Sequence, residues 1–133
     1  MKVLITMYGD EALKDVDTPE GIMRTMRAWG EFGEAAGAAG VLVACEALEA
    51  GDTATTVRVD GGGRHVTDGP FIETKEQLGG FILLEVSDLD EALEWAARSP
   101  WNREGCTSEL RPLMDYDAYA ARAAAALGET AAS

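Results

Sequence analysis

Asp68, His65 and Glu46 are the side chains of this chain best suited to moving protons. His65 is the only histidine. Imidazole is the one side chain whose ordinary pKa lies near neutrality, so a general acid or base is either this residue or a carboxylate retuned by its surroundings. His65 stands three residues before Asp68, a spacing that suits a ring oriented by a carboxylate and equally an exposed turn in which neither group reacts. Glu46 interrupts the apolar run 41–49. Its carboxylate either points to water by strand alternation or is held in a polar pocket, where burial would raise its pKa. Asp68-Gly69-Pro70-Phe71 makes a rigid corner: Pro70 lacks an N–H and presets its backbone, Gly69 takes unusual dihedrals, and Asp68 accepts bonds from nearby amides. Phe71 is expected to anchor that corner in the core, while Glu73, Lys75 and Glu76 bring opposite charges close together. Tyr8, at the end of a first strand, and Trp29 could line the same cavity, although Trp29 suits a core position equally well. The candidates are therefore Asp68, His65 and Glu46 for catalysis, with Tyr8, Trp29, Gly69, Pro70, Phe71, Glu73 and Lys75 for ligand binding.

Several kinds of chemistry are disfavoured. One histidine, scattered carboxylates and two distant cysteines without CxxC spacing, Cys45 and Cys106, predict no metal site and no cofactor. Cys45 reads as a small buried hydrophobe, and Cys106 has no His or Lys beside it to activate a thiolate. No nucleophile-elbow spacing supports a hydrolase. The triple glycine 61–63 is not followed by a helix bearing a Lys, so a hairpin explains it better than a phosphate loop. Twenty-four acidic residues against eleven basic ones give a net charge of -13, which repels phosphate backbones and anionic membranes and makes nucleic acid an unsuitable partner. No apolar run approaches the ~20 residues that a membrane span requires. The start, MKVLITMYGDE, turns acidic without a cleavage site and reads as a strand, so a cytoplasmic location is expected.

At 133 residues the chain suits one domain. Residues 2–8 predict a first strand. Thr18 as N-cap with Pro19 at the first helical position opens a helix through residue 40, with Ile22, Met26, Trp29, Gly33 and Ala36 on its inward stripe. Gly33 and Gly37 weaken that helix, and close approach to a sheet or another helix is the expected reason. Residues 41–49 and 53–59 follow as strands, Asp60-Gly61 turns the chain, and Arg64–Val66 returns it. Residues 80–87 predict a central strand. Asp88 and Glu91 then form a capping box for a helix to Ser99, with Leu89, Ala92, Leu93 and Ala96 inward. The strand 107–114 carries Pro112, which marks an edge or an end, and an Ala-rich helix 115–129 is appended before a frayed terminus. The fold class is α+β, a ferredoxin-like split βαβ with an added hairpin and a C-terminal helix; the domain spans 1–114 and the tail 115–133. Helices on one sheet face leave the other uncovered, so a homodimer is expected to cover it.

The segment VTDGPFIETKEQLGGFILLEVSDLDEALEWAARSP, with MYGDE near the start and GVLVACEAL in the middle, resembles the YCII-related superfamily and its DGPF-motif branch over residues 1 to 114. The resemblance implies a dimeric α+β barrel of ferredoxin-like subunits. The superfamily's proposed site pairs a helix histidine with an acidic residue, and one degradative member is linked to removing chloride from an aromatic ring. Here the matching helix position falls on or near Trp29, so that dyad does not carry over. Branch members are often encoded beside, or fused to, extracytoplasmic-function sigma factors, which implies an accessory role. Two readings follow. One is a homodimeric small-molecule pocket protein, lyase-like or isomerase-like if it is an enzyme, using Asp68, Glu46 or His65; the other is a non-catalytic module that engages a protein partner.

Overall fold

The computed structural model describes residues 1–11 and 18–129. The polar connection 12–17 and the end of the tail, 130–133, expected to fray, lie outside them. The first strand, β1 (Lys2–Asp10), runs two residues beyond its expected end and alternates strictly. Val3, Ile5 and Met7 are buried on one face, while Leu4, Thr6 and Tyr8 on the other are half-buried. Helix α1 (Pro19–Ala38) starts where Thr18 Oγ1 accepts the Gly21 N–H at 3.0 Å, with Pro19 supplying a preset backbone in the first turn. Strand β2 (Leu42–Ala47) leads into a 3₁₀ turn, Gly51–Thr53, and the hairpin β3 (Thr55–Asp60) and β4 (Gly63–Asp68) follows. Strand β5 (Glu76–Glu85), α2 (Leu89–Arg98), edge strand β6 (Cys106–Pro112) and α3 (Tyr116–Ala126) complete the chain.

The four-stranded sheet is ordered β2-β5-β1-β6, antiparallel throughout, and the hairpin forms a separate two-stranded sheet. The two βα units interleave as in the split βαβ layout: β5 lies between β1 and β2, and β1 lies between β5 and β6. Both α1 and α2 pack on the face that presents Val3, Ile5, Met7, Ile82 and Leu84. The core is closed by an aromatic chain in which Phe32 meets Trp29 edge-on at 5.7 Å and Trp95 at 6.0 Å.

Several expectations need correction. The inward stripe of α1 is rotated: Gly21, Phe32 and Ala36 are buried, whereas Ile22 and Met26 are 45% and 64% exposed. Phe32 is the larger payload, and seating it against Trp95 turns Met26 outward. On α2 the aromatic again wins, with Trp95 buried beside Ala92 and Ala96 while Leu89 and Leu93 face water. Gly33 and Gly37 meet no close neighbour; a Cβ added at either finds nothing within 4 Å. Central strand β5 begins four residues earlier than its apolar pattern suggested, because Glu76 and Gln77 pair with Asp10 and Gly9 at the sheet's end. Phe71 is not a core anchor but 70% exposed. Helix α3 buries no residue.

The start of α2 yields a pH-dependent expectation. Asp88 Oδ1 accepts the Glu91 N–H at 2.8 Å, while Glu91 Oε2 accepts the backbone N–H and the hydroxyl of Ser87 at 2.8 and 2.7 Å. Those two Ser87 bonds hold the Glu91 carboxyl below its ordinary 4.5. A carboxyl with a depressed folded pKa contributes its stabilisation above the unfolded value and loses it as pH falls through the folded one. The difference in Tm between wild type and Glu91→Gln is therefore expected to be full near pH 6 and to shrink steadily below about pH 4.5, read by circular dichroism melts across that range.

Candidate functional site

One end of the sheet is irregular, and that irregularity builds a cavity. Between Met7 and Tyr8 the β1–β5 register slips, so that Met7 opposes Gly80 and Tyr8 opposes Leu78, leaving Gly79 as the extra residue of a bulge. Trp101, just after α2, lies against this bulge. Its Nε1–H donates to the Tyr8 carbonyl at 3.0 Å, and a Cβ on Gly79 would stand 2.5 Å from the indole. The Leu48 N–H donates to the Gly79 carbonyl at 2.8 Å, which ties the chain leaving β2 to the same bulge. Beyond it, Glu11 Oε1 accepts the Gly51 N–H at 2.7 Å, and Gln77 Nε2 donates to the Thr74 carbonyl at 2.7 Å.

The Asp-Gly-Pro-Phe corner is fastened to the start of β3 from both sides. Gly69 donates its N–H to the Ala54 carbonyl at 2.7 Å and accepts the Thr56 hydroxyl on its own carbonyl at 2.8 Å. Its φ of +99° is one that a residue bearing a side chain adopts only with strain. Between the corner, the link 48–56 and the sheet end lies a cavity of about 680 Å³, walled by Tyr8, Leu48, Phe71, Ile72 and Leu78, with Glu49 and Glu76 as its carboxylates. A second recess of about 560 Å³ shares Gly51, Pro70, Thr74 and Gln77 with it and carries Asp10, Glu11, Asp52, Asp68, Glu73 and Lys75. Lys75 Nζ sits 3.8 Å from Asp10 Oδ2 across that recess.

The structure brings some expected residues together and separates others. Tyr8, Pro70 and Phe71 line the larger cavity; Asp68, Gly69, Pro70, Glu73 and Lys75 line the smaller one. His65 does neither. It is exposed on the hairpin with Nε2 3.1 Å from Asp60 Oδ1, so its carboxylate neighbour is Asp60, diagonally across the hairpin beside its cross-strand partner Arg58, and not Asp68. Glu46 is exposed on β2 and lines neither cavity; Trp29 packs on Phe32 and also faces neither. The three candidate proton-transfer groups therefore do not converge. Beside Glu46, burial and the carboxylate's charge push the Cys45 thiol up from its ordinary value, which keeps it protonated and unreactive at neutral pH. Among the described residues, no group of three or more His, Cys, Asp and Glu side chains could hold a metal ion, and no helix is long and apolar enough to cross a membrane.

Sequence reasoning missed the link wall, Leu48 to Thr56, and the positioning role of Trp101. The expected strands 41–49 and 53–59 take in most of that link, whereas β2 ends at Ala47 and β3 begins only at Thr55; Trp101 lies outside every periodic stripe. The paired glycines 79–80 inside an apolar run were the available signal, since a glycine in a strand marks a bulge or a close approach.

Residues 1–116 match the YCII-related domain. An uncharacterised protein of Rhizobium meliloti (strain 1021) is 37% identical over 117 residues, which cover 87% of this chain and 94% of the relative. With the family match extending from β1 to the beginning of α3, the chain belongs to the YCII-related family.

Proposed function

We propose that the protein binds a small, largely apolar organic ligand in the cavity at the Asp-Gly-Pro-Phe corner, as a homodimer joined through the open face of its sheet. The observation that carries this reading is the wall itself: three separate segments converge on it and present Tyr8, Leu48, Phe71, Ile72 and Leu78 around about 680 Å³, a volume within the range of small-molecule sites. Phe71 and Ile72 remain 70% and 53% exposed despite their apolar character, as walls awaiting an occupant would be. Glu49 and Glu76 supply acceptors for a hydroxyl or amine on the ligand. Because Asp68, His65 and Glu46 are dispersed, binding is favoured over lyase-like or isomerase-like chemistry built on them. We assign the chain to the DGPF-motif branch on its central segment, with the dimeric α+β barrel that this implies. Leu4, Phe81 and Leu83 lie half-buried on the sheet face away from α1 and α2. Tyr8 and Leu78 share that face, so a second copy laid over it would also close the cavity.

Thermal shift against a panel of small organic metabolites tests the reading. A true ligand at about 100 times its Kd is expected to raise Tm by roughly 5–10 °C. Phe71→Ala, whose side chain contributes little to the core, should abolish most of that rise while leaving the unliganded Tm close to wild type. The reading fails if no compound stabilises the protein, or if every stabilising compound acts equally on Phe71→Ala. The accessory reading, in which a protein partner is engaged, is favoured by one observation: α3 buries none of its residues, and Tyr116, Tyr119 and the C-capping Leu127 are exposed. Pull-downs that lose their partner when 115–133 is removed would support it.

A further inference from the structure

The outward face of α1 has a two-part pattern that its own chain does not use. Met23, Met26, Gly30, Gly33 and Gly37 recur at spacings of three and four, so they form one stripe along the helix, away from the core residues Phe32 and Ala36. The first half of the stripe is large and apolar: Met23 is 58% exposed, Met26 64%, and neighbouring Ile22 45%. In the second half a Cβ added at Gly30, Gly33 or Gly37 would meet nothing within 4 Å. Charge follows the same division. Arg24 and Arg27 flank the methionines, Glu31 and Glu34 flank the glycines, and none of the four is in an ion pair among the described residues. Arg27 and Glu31 stand four apart, a spacing that permits a pair, yet none closes.

We propose that α1 packs antiparallel on α1 of a second copy, crossing near Gly30. The reversal of direction decides the occupant. An antiparallel copy sets the methionine half of each helix over the glycine half of the other, where backbone alone leaves room for a thioether. It also brings Arg27 of each copy against Glu34 of the other. These positions are seven residues apart on one flank and lie on either side of Gly30, so both cross-pairs form at once around a two-fold axis. A parallel copy would oppose Met to Met and place the two Arg27–Glu34 flanks on opposite sides of the contact, where they could not pair. This contact uses the helix layer, independently of the open sheet face, and would join sheet-face dimers into tetramers. One helix pair falls short of the ~800 Å² per partner typical of stable interfaces, so the association depends on concentration.

Sedimentation velocity over a concentration series tests it, with circular dichroism to verify folding, which exposed substitutions should leave unchanged. Arg27→Glu alone and Glu34→Arg alone are each expected to shift association to about tenfold higher concentration. The double variant, Arg27→Glu with Glu34→Arg, restores the opposite-charge cross-pairs and should return association close to wild type. The proposal is overturned if wild type keeps one mass at every concentration, if the single variants associate as wild type does, or if the double variant is no better than the singles. Ligand stabilisation by the cavity is a separate readout and survives any of these outcomes.

Discussion

Phe32→Ala is expected to cost about 3–5 kcal/mol of folding free energy, the range for truncating a large buried aromatic. Phe32 is 6% exposed and sits between Trp29 and Trp95 with edge-on contacts to both, so its removal empties the centre of the helix layer and leaves two indoles without their shared partner. Neither indole can follow it inward. Trp29 is held by α1, and Trp95 lies under the Arg98 guanidinium, 4.2 Å from its ring centroid. Met26→Ala, six residues earlier on the same helix, should by contrast change monomer stability by no more than about 0.5 kcal/mol, because Met26 is 64% exposed. Urea unfolding of both variants at a concentration low enough to keep the protein unassociated measures the difference. Equal losses would mean that the stripe read from residues 22, 26, 29, 33 and 36 faces the core after all.

That contrast locates what the sequence could and could not disclose about this fold. Element order was legible because several boundaries have a local physical cause. Thr18 and Asp88 cap their helices through their own side chains, Pro112 confines its strand to an edge, and Asp60 with the glycines turns the hairpin. Orientation about a helix axis was less legible. Adjacent stripes on α1 differ by a single residue in register, and both contain apolar side chains; choosing between them needed the knowledge that Phe32 meets Trp95 across 63 residues of chain. The candidate site was half-legible for a related reason. The rigid corner at Asp68–Phe71 follows from proline and glycine chemistry, whereas the cavity wall opposite it, Leu48 to Thr56, is a link without a motif, held in place by long-range bonds from Leu48 to Gly79, Gly51 to Glu11 and Ala54 to Gly69. His65 illustrates the opposite error. Three residues from Asp68 in sequence, it occupies the same β4 strand at an odd offset, so the two side chains point to opposite faces of the hairpin, and His65 meets Asp60 instead.

Alanine at Gly80 is expected to cost about 3 kcal/mol, and at Gly79 about 1–3 kcal/mol, with different physical remedies. At Gly80 the added Cβ would stand 2.5 Å from the Glu46 carbonyl oxygen and 3.2 Å from the Ala47 Cα, both backbone atoms of a paired strand that cannot give way without breaking the β2–β5 ladder. At Gly79 the obstacle is the Trp101 indole at 2.5 Å, a side chain that can leave. Its departure would open the hydrogen bond from Nε1 to the Tyr8 carbonyl and uncover the bulge that points Tyr8 toward the cavity. A double-mutant cycle separates the cases: in a Trp101→Ala background, Gly79→Ala should become nearly neutral, giving a coupling of about 1–2 kcal/mol, while Gly80→Ala should cost as much as before. The cavity adds a second readout. Gly79→Ala and Trp101→Ala displace the same wall, so each should weaken binding of any ligand found there, and their combination should weaken it little further. Coupling at Gly80 equal to that at Gly79 would show that Trp101 rests on the strand as a whole and does not single out the bulge.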